Sequence, residues 1–229
     1  MWIRSSHCVQ NEVVRLVVFD LDGTLIDSRR DLADAANALI VERGGAPMDV
    51  DAIAGMVGEG AALLVRRALK AAGTDLNIER DLPRFLELYD ERLLAHTRLY
   101  EGTRDMLEAL APRASLAVLT NKPQRPTERI LDGLAIAHFF PQVIGGDTAH
   151  GRKPDPAGLR SLMSAAGTTA DETLMIGDSA IDLRTARAAG TRVCLVRYGF
   201  GFPTAAAELR GDESIASDPR ELVAVACRA

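Results

Sequence analysis

Residues 13–24 read Val-Val-Arg-Leu-Val-Val-Phe-Asp-Leu-Asp-Gly-Thr. The apolar, largely β-branched run ends at acidic residues and Gly23, which is typical of a buried strand in a parallel sheet. Similar runs recur at four later places: 115–120, 143–145, 173–177 and 192–196. Helical stretches accompany these later runs at 103–110, 127–131, 156–166 and 180–189. The alternation predicts an α/β fold, a doubly wound, Rossmann-like parallel sheet flanked by helices.

The segment from about residue 27 to residue 100 departs from this alternation. It is rich in Ala and Leu, has no β-branched strand run, and places apolar residues at helical spacing in 31–43, 60–72 and 79–96. A crossover between parallel strands needs roughly a dozen residues, and this segment is several times longer. We therefore expect a helical cap domain, residues 28–97, inserted after the first strand of an α/β core formed by residues 1–27 and 98–229.

Composition limits the possible partners. The 229 residues are 47% hydrophobic and 26% charged, an ordinary globular balance that is sufficient for a sizeable core. The 27 Lys and Arg residues against 32 Asp and Glu residues give a net charge of −5. Because nucleic-acid affinity depends on basic surface, no nucleic-acid partner is expected.

Three widely spaced cysteines, Cys8, Cys194 and Cys227, form no CxxC pair, so neither a disulfide framework nor a zinc cluster is indicated. Charged residues interrupt residues 1–12, which leaves no apolar segment for a signal peptide, and no later stretch approaches membrane-spanning length. We expect a cytoplasmic protein with no membrane partner, in which part of residues 1–12 is a loose leader. The sequence leaves open whether the chain is a monomer or a homodimer.

The ends of the predicted strands are unusually polar. In an open parallel sheet, ligands bind at the carboxyl ends of the strands. The candidates at these ends are Asp20 and Asp22 after the first strand, Thr120, Asn121 and Lys122 after the second, Lys153 before the fourth, and Asp178 and Asp182 after the fourth. If the strands are neighbours, carboxylates, a hydroxyl and an ammonium group converge on one edge.

Clustered carboxylates repel one another unless a cation compensates their charge. A hard divalent ion is the simplest such cation, and ligation by oxygen atoms suits Mg²⁺, which also binds phosphate oxygens of substrates. Phosphate chemistry follows from this set of residues. Asp20 is the candidate nucleophile that forms an aspartyl-phosphate, and Asp22 the candidate acid and base. Thr120 would hold the phosphoryl oxygens while Lys153 neutralises their charge.

Four stretches carry a family resemblance. They are Phe-Asp-Leu-Asp-Gly-Thr-Leu (19–25), Leu-Thr-Asn-Lys-Pro (119–123), Arg-Lys-Pro (152–154) and Ile-Gly-Asp-Ser-Ala-Ile-Asp (176–182). In this order they resemble the four motifs of the haloacid dehalogenase-like hydrolases, and the likeness extends over residues 14–199.

This resemblance implies a role for each acidic residue. Asp20 is the nucleophile and a metal ligand, and Asp22 is the acid and base, with its backbone carbonyl on the metal. Asp178 is a direct Mg²⁺ ligand, and Asp182 supports the ion through water. The helical insertion corresponds to the cap of that superfamily.

Within the superfamily the chain is most similar to the phosphoglycolate phosphatases. The stretches 58–61, 67–69, 121–123 and 143–147 carry this likeness. It implies a Mg²⁺-dependent phosphoric monoester hydrolase acting on a small phosphorylated metabolite, 2-phosphoglycolate.

That substrate has a carboxylate besides its phosphate, and the cap is the remaining surface that could bind it. Gly58 and Gly60 offer backbone N–H groups at a helix start, and Arg67 offers a bidentate fork. These three residues and Asn121 are the predicted substrate-binding residues.

Several alternatives stay open at this level. A sugar-phosphate phosphatase, a pyrophosphatase and a phosphomutase share the same core chemistry. A phospho-accepting signalling module also combines an Asp, a Thr, a Lys and an acidic metal site, although a general base such as Asp22 would shorten the life of its acyl phosphate. Dehalogenation at carbon would keep the nucleophile but would need neither Mg²⁺ nor Asp22.

Overall fold

The computed structural model of the protein describes residues 13–227. Cys8 and the expected leader within residues 1–12 lie outside the described residues. The strands are, in chain order, β1 (Leu16–Phe19), β2 (Ile26–Asp27), β3 (Arg98–Leu99), β4 (Ser115–Leu119), β5 (Gln142–Ile144), β6 (Thr173–Gly177), β7 (Arg192–Val196) and β8 (Ser214–Ala216).

The helices follow the same chain order. They are α1 (Arg29–Glu42), α2 (Val50–Ala54), α3 (Ala61–Ala71), α4 (Ile78–Asp90), α5 (Thr103–Leu110), α6 (Gln124–Gly133), α7 (Ala157–Ala166), α8 (Ala180–Ala189), α9 (Phe202–Ala206) and α10 (Glu221–Cys227), with a 3₁₀ turn at Ala137–Phe139. Along residues 13–227, no helix has the length and apolar character that crossing a bilayer requires.

A parallel sheet of six strands, in the order β5-β4-β1-β6-β7-β8, forms the centre of the molecule. Strand β1 is buried on both faces. Val17 and Phe19 belong to one hydrophobic cluster, and Leu16 and Val18 belong to the cluster on the other face. This double burial explains why the strand is apolar without alternation. The predicted α/β fold with a Rossmann-like parallel sheet is confirmed.

The register of the sheet brings the candidate residues together. Phe19 pairs with Val118 of β4 and with Ile176 of β6, so these three strands end at nearly the same level. Asp20 continues the pairing, since its N–H donates to the carbonyl of Ile176 at 2.8 Å. The residues that follow the strands therefore share one edge.

The sequence-based prediction missed strand β8. This edge strand has three residues and leaves Ile215 partly exposed. It is too short to give a recognisable periodicity. Cys194 is buried in β7 and Cys227 is exposed at the end of α10, and both are free thiols.

The segment of residues 28–97, which we call the helical segment, holds α1 to α4. At its two ends β2 and β3 pair antiparallel, with Ile26 opposite Leu99. The expectation of a purely helical stretch between residues 27 and 100 is therefore wrong at its ends. The two connections between the core and the helical segment run side by side there, and they pair as short strands. The division of the chain into core and cap domains stays a prediction.

Helix α4 is shorter than the predicted 79–96, because it ends at Asp90. The carboxylate of Asp31 in α1 accepts hydrogen bonds from the backbone N–H groups of His96 and Thr97, at 2.8 to 3.0 Å. These N–H groups bond to a distant side chain instead of to the carbonyls of a continuing helix. A tertiary contact thus replaces the last turns of the predicted helix.

Candidate active site

The loop after β5 carries Lys153 to the carboxyl end of β1. Its Nζ lies 2.8 Å from Oδ1 of Asp20 and 2.5 Å from Oδ1 of Asp182, and all three residues are buried. Burial by itself lowers the pKa of Lys153, but the carboxylates of Asp182 and Asp20 outweigh it and hold this pKa above its usual value. Lys153 is therefore a buried cation between two carboxylates.

Asp20, Asp178 and Asp182 form an acidic cluster. One carboxylate oxygen of each lies within 4.8 Å of the others, and all three residues are buried. Burial raises the pKa of Asp20 to about 7. Burial, together with the charges of Asp182 and Asp20, also raises the pKa of Asp178 well above its usual value. Buried oxygen donors that repel one another in this way fit a divalent cation.

Two glycines make room for Asp178. Gly23 has a φ of +85°, and a Cβ at this position would lie 2.0 Å from Oδ2 of Asp178. A Cβ at Gly199 would lie 2.2 Å from Cβ of Asp178. The backbone N–H of Gly201 donates to Oδ2 of Asp178 at 2.7 Å. The glycine after Asp22 is thus needed both for its positive φ and for the close approach of Asp178.

Asp182 has a second task at the start of α8. Its Oδ2 accepts hydrogen bonds from the N–H of Ser179 at 3.0 Å and from the hydroxyl of Ser179 at 2.7 Å, as part of a capping box. Its Oδ1 contacts Lys153. Asp182 therefore belongs to the acidic cluster and also stabilises the helix that positions it.

Asp22 faces a different cation. Its Oδ1 accepts a hydrogen bond from the hydroxyl of Ser28 at 2.5 Å and lies 3.0 Å from Nζ of Lys122. Lys122 Nζ also donates to the hydroxyl of Tyr89 in α4 at 2.7 Å, and it lies 4.6 Å from the centre of that ring. Burial lowers the pKa of Lys122, but Asp22 and Tyr89 raise it by more, so the net pKa lies above its usual value.

Lys122 is not among the predicted catalytic, metal-binding or substrate-binding residues, although it follows Thr120 and Asn121 at the end of the second predicted strand. One signal was available, because Lys122 is the third polar residue in a row at the end of β4, where ligands bind. Its partner Tyr89 had no such signal, since helical periodicity marks it as one of the apolar core positions of α4.

A cleft lies over this edge of the sheet, with about 520 Å³ of empty space including its open mouth. Polar residues of the core line one side: Asp20, Asp22, Thr120, Asn121 and Lys122. The helical segment supplies the other side, which is mainly apolar: Leu32, Val57, Gly58, Gly60, Ala61, Leu64, Phe85, Leu86 and Tyr89. The cleft therefore offers charged groups on one wall and excludes water on the other.

The predicted residues Thr120, Asn121, Gly58 and Gly60 all line this cleft. The side-chain amide of Asn121 donates to the carbonyls of Gly58 at 2.9 Å and Lys153 at 3.0 Å. Its Oδ1 is buried and has no hydrogen-bond partner in the part of the chain that the structure describes. Asn121 thus connects the helical segment to the loop of Lys153.

Arg67 lies elsewhere. Its guanidinium forms an ion pair with Glu59 and donates to the carbonyl of Met56 at 3.3 Å. Its side chain is 39% exposed, and it is not among the described residues that line the cleft. Arg67 braces the loop that contains Gly58, and its charge is already matched by Glu59.

A parallel sheet with an acidic cluster and a buried lysine at the carboxyl ends of its strands fits the class of hydrolase that the four motifs predicted. Residues 17–196 match the family model of the haloacid dehalogenase-like hydrolases. The chain belongs to the haloacid dehalogenase-like hydrolase family, as its four motifs predicted.

Among its relatives is the phosphoglycolate phosphatase of Rhodospirillum rubrum. The two are 45% identical over 194 residues, which cover 81% of this chain and 80% of the relative. The phosphoglycolate phosphatase of Pseudomonas putida is 43% identical over 194 residues, covering 81% of this chain and 70% of that protein. These relatives confirm the predicted enzyme class, a phosphoric monoester hydrolase.

The fold also matches solved structures. The crystal structure of a predicted phosphoglycolate phosphatase from Haemophilus somnus superposes with a TM-score of 0.86 at 30% identity. The match covers 94% of this chain and 99% of that chain. The likeness therefore includes both the sheet and the helical segment.

Proposed function

We propose that this protein is a Mg²⁺-dependent phosphatase that hydrolyses 2-phosphoglycolate to glycolate and phosphate through an aspartyl-phosphate on Asp20. The names of the similar phosphatases support the substrate. The observation that carries the chemistry is the contact of Asp20, which lines the cleft at the end of β1, with the buried Lys153 behind it. A nucleophile and a cation for the phosphoryl oxygens are thus held together before substrate arrives.

In the first step, a carboxylate oxygen of Asp20 attacks phosphorus, and the bond from phosphorus to the ester oxygen breaks. Asp22 gives its proton to that leaving oxygen, so glycolate departs as an alcohol. Lys153 and the hydroxyl of Thr120 interact with the phosphoryl oxygens while charge develops on them. The apolar wall of the cleft strengthens these interactions because it keeps water away.

In the second step, the carboxylate of Asp22 takes a proton from a water molecule. The water oxygen attacks phosphorus, and the bond to Asp20 breaks, which releases phosphate and restores the carboxylate of Asp20. Asp22 is again protonated at the end. Its contacts with Ser28 and Lys122 hold it beside the reacting atoms through both steps.

The acidic cluster fits Mg²⁺ because its donors are hard oxygen atoms. Asp20 and Asp178 would bind the ion through their carboxylates, Asp22 through its backbone carbonyl, and Asp182 through water. When bound, Mg²⁺ supplies positive charge that neutralises the phosphoryl group and the clustered carboxylates. The helical segment would act as the cap that encloses the substrate, and the cytosolic location expected from the cysteines stays a prediction.

A panel of phosphorylated metabolites assayed with Mg²⁺ tests this function. The panel includes phosphoglycolate, sugar phosphates and pyrophosphate, and phosphoglycolate is expected to have the highest kcat/KM. A preference for a hexose phosphate or pyrophosphate would assign the chain to another activity of the family. Release of halide from a haloacid without Mg²⁺, together with no release of phosphate from any member of the panel, would exclude the phosphatase.

A further inference from the structure

The cations around the active site are not equivalent. Lys153 is held by Asp20 and Asp182, and Arg67 is paired with Glu59 outside the cleft. Among the described residues that line the cleft, Lys122 alone has a positively charged side chain. That side chain is only 3% exposed, so its charge acts on the cleft and very little on bulk solvent.

The ammonium group of Lys122 has capacity for a ligand. It carries three N–H donors. Within residues 13–227, its polar partners are Oδ1 of Asp22 at 3.0 Å and the hydroxyl of Tyr89 at 2.7 Å. One N–H therefore has no hydrogen-bond acceptor among the described residues. The backbone of Lys122 is fixed by hydrogen bonds to Thr120 and Gly146, so the group is held in place.

Lys122 lies where the carboxylate of phosphoglycolate would be expected. Asp22 is the proposed proton donor to the ester oxygen, and Lys122 lies directly beside it. In phosphoglycolate, the carboxylate is joined to the ester oxygen through a single carbon. When the ester oxygen lies at Asp22, this carboxylate would therefore lie close to the ammonium group of Lys122.

The apolar wall makes such a cation necessary. Leu64, Phe85 and Leu86 line the cleft, and a carboxylate that leaves water for such surroundings loses its hydration. A buried ammonium group in the cleft wall compensates for this loss, whereas the guanidinium of Arg67, which is 39% exposed and lies outside the cleft lining, compensates much less.

We propose that Lys122 binds the carboxylate of the substrate and so selects short phosphomonoesters that carry a second anion. This inference rests on the proposed function and extends it to a specificity-determining residue. Tyr89 is a positioning residue, because its hydroxyl and ring hold the ammonium group of Lys122 at the cleft wall. In this proposal, the carboxylate of the substrate is bound by the core loop after β4, which carries Lys122, and not by Arg67.

A pair of substrates that differ at one group tests the proposal. Phosphoglycolate has a carboxylate where 2-hydroxyethyl phosphate has a hydroxymethyl group. Lys122→Met is expected to lower kcat/KM for phosphoglycolate about tenfold to a hundredfold more than for 2-hydroxyethyl phosphate, mainly through KM, which is the range for a hydrogen bond to a charged group. The same change at the exposed Lys70 of α3 is the matched control and should leave the ratio unchanged.

Equal losses for both substrates would overturn the proposal, because a residue that only braces Asp22 or Tyr89 affects them alike. Lys122→Gln provides a second variant that keeps a hydrogen-bond donor in the buried position but removes the charge. It should also lose the preference for phosphoglycolate. Thermal unfolding of both variants shows whether they are folded.

A second measurement separates this proposal from the proposed function. Glycolate should inhibit hydrolysis of p-nitrophenyl phosphate competitively in the wild type, and Lys122→Met should raise its inhibition constant at least tenfold, with ethylene glycol as the neutral control. This result holds whatever the natural substrate is. A wild type that does not hydrolyse phosphoglycolate refutes the proposed function, whereas an inhibition constant unchanged by Lys122→Met refutes the role of Lys122.

Discussion

Lys153 Nζ lies 2.8 Å from Oδ1 of Asp20, although the two residues come from loops at the ends of different strands. The contact joins the proposed nucleophile to a cation that has almost no access to solvent. The same ammonium group also contacts Asp182. If one of these two carboxylates is removed, the other still neutralises the charge of Lys153.

Asp20→Asn is expected to lower kcat by several orders of magnitude, because the amide cannot attack phosphorus and is a poor metal ligand. Since Asp182 still pairs with Lys153, circular dichroism should be unchanged. Asp75→Asn, at an exposed position of the helical segment, is the matched control. A variant that keeps a substantial part of the wild-type kcat would rule out the covalent mechanism.

Removal of Mg²⁺ with EDTA is expected to abolish activity and to lower Tm, because an ion that binds the folded chain also stabilises it. Ca²⁺ should restore Tm better than activity, since its larger and looser coordination misplaces the nucleophile. Asp178→Asn should raise the Mg²⁺ concentration needed for half-maximal activity. Full activity in excess EDTA would contradict the metal assignment.

Gly23→Ala should destabilise the protein and weaken metal binding. The new Cβ would meet Oδ2 of Asp178 at 2.0 Å, and the φ of +85° is itself unfavourable for alanine. Gly73→Ala is the matched control, because its φ of +67° imposes a similar backbone cost while nothing lies within 4 Å of its Cβ. Urea unfolding and Mg²⁺ titration of both variants isolate the contact with Asp178. Equal effects in the two variants would mean that this contact is unimportant.

Arg67→Met is expected to lower kcat/KM for phosphoglycolate and for 2-hydroxyethyl phosphate by the same factor. Arg67 braces the Gly58 loop through Glu59 and the carbonyl of Met56, so its loss disturbs the cleft wall for any substrate. Steady-state kinetics with both substrates measure this. A loss confined to phosphoglycolate would instead restore Arg67 as the partner of the carboxylate.

We expect the lowered pKa of Glu213 to make the stability of the protein depend on pH. Burial alone raises the pKa of Glu213, but the backbone N–H groups of Arg210 and Gly211 and the guanidinium of Arg187 lower it to about 2. Because the unfolded chain binds this proton more readily, the contribution of Glu213 is complete above about pH 4.5 and is lost as the pH falls towards 2.

Glu213→Gln should therefore reduce the free energy of unfolding at pH 7 and have a smaller effect at pH 3. Urea unfolding of wild type and variant at both pH values checks this. Other carboxylates titrate in the same range, but they are common to both proteins and cancel in the difference. A difference that is the same at pH 3 and pH 7 would show that the charge of Glu213 is not responsible.

The sequence by itself determined five of the six strands of the sheet and most of the acidic site. Each predicted strand is a short apolar run, and parallel strands that start and end at the same level place their following residues on one edge. Asp20, Thr120 and Asp178 meet for this reason. Strands β6 and β7 and helices α5 and α8 also have the predicted bounds, because local periodicity and terminal residues define them.

Only the tertiary structure decided which groups from the helical segment meet the core. Lys122 and Tyr89 are 33 positions apart, and their contact depends on how α4 is rotated against the sheet. The end of α4 depends on Asp31, which is 65 positions from His96, and the pairing of β2 with β3 depends on how closely the two connections run. Packing of side chains sets these rotations and distances, and no local pattern of residues records them. The same packing turned Arg67 away from the cleft and brought Lys122 into its wall.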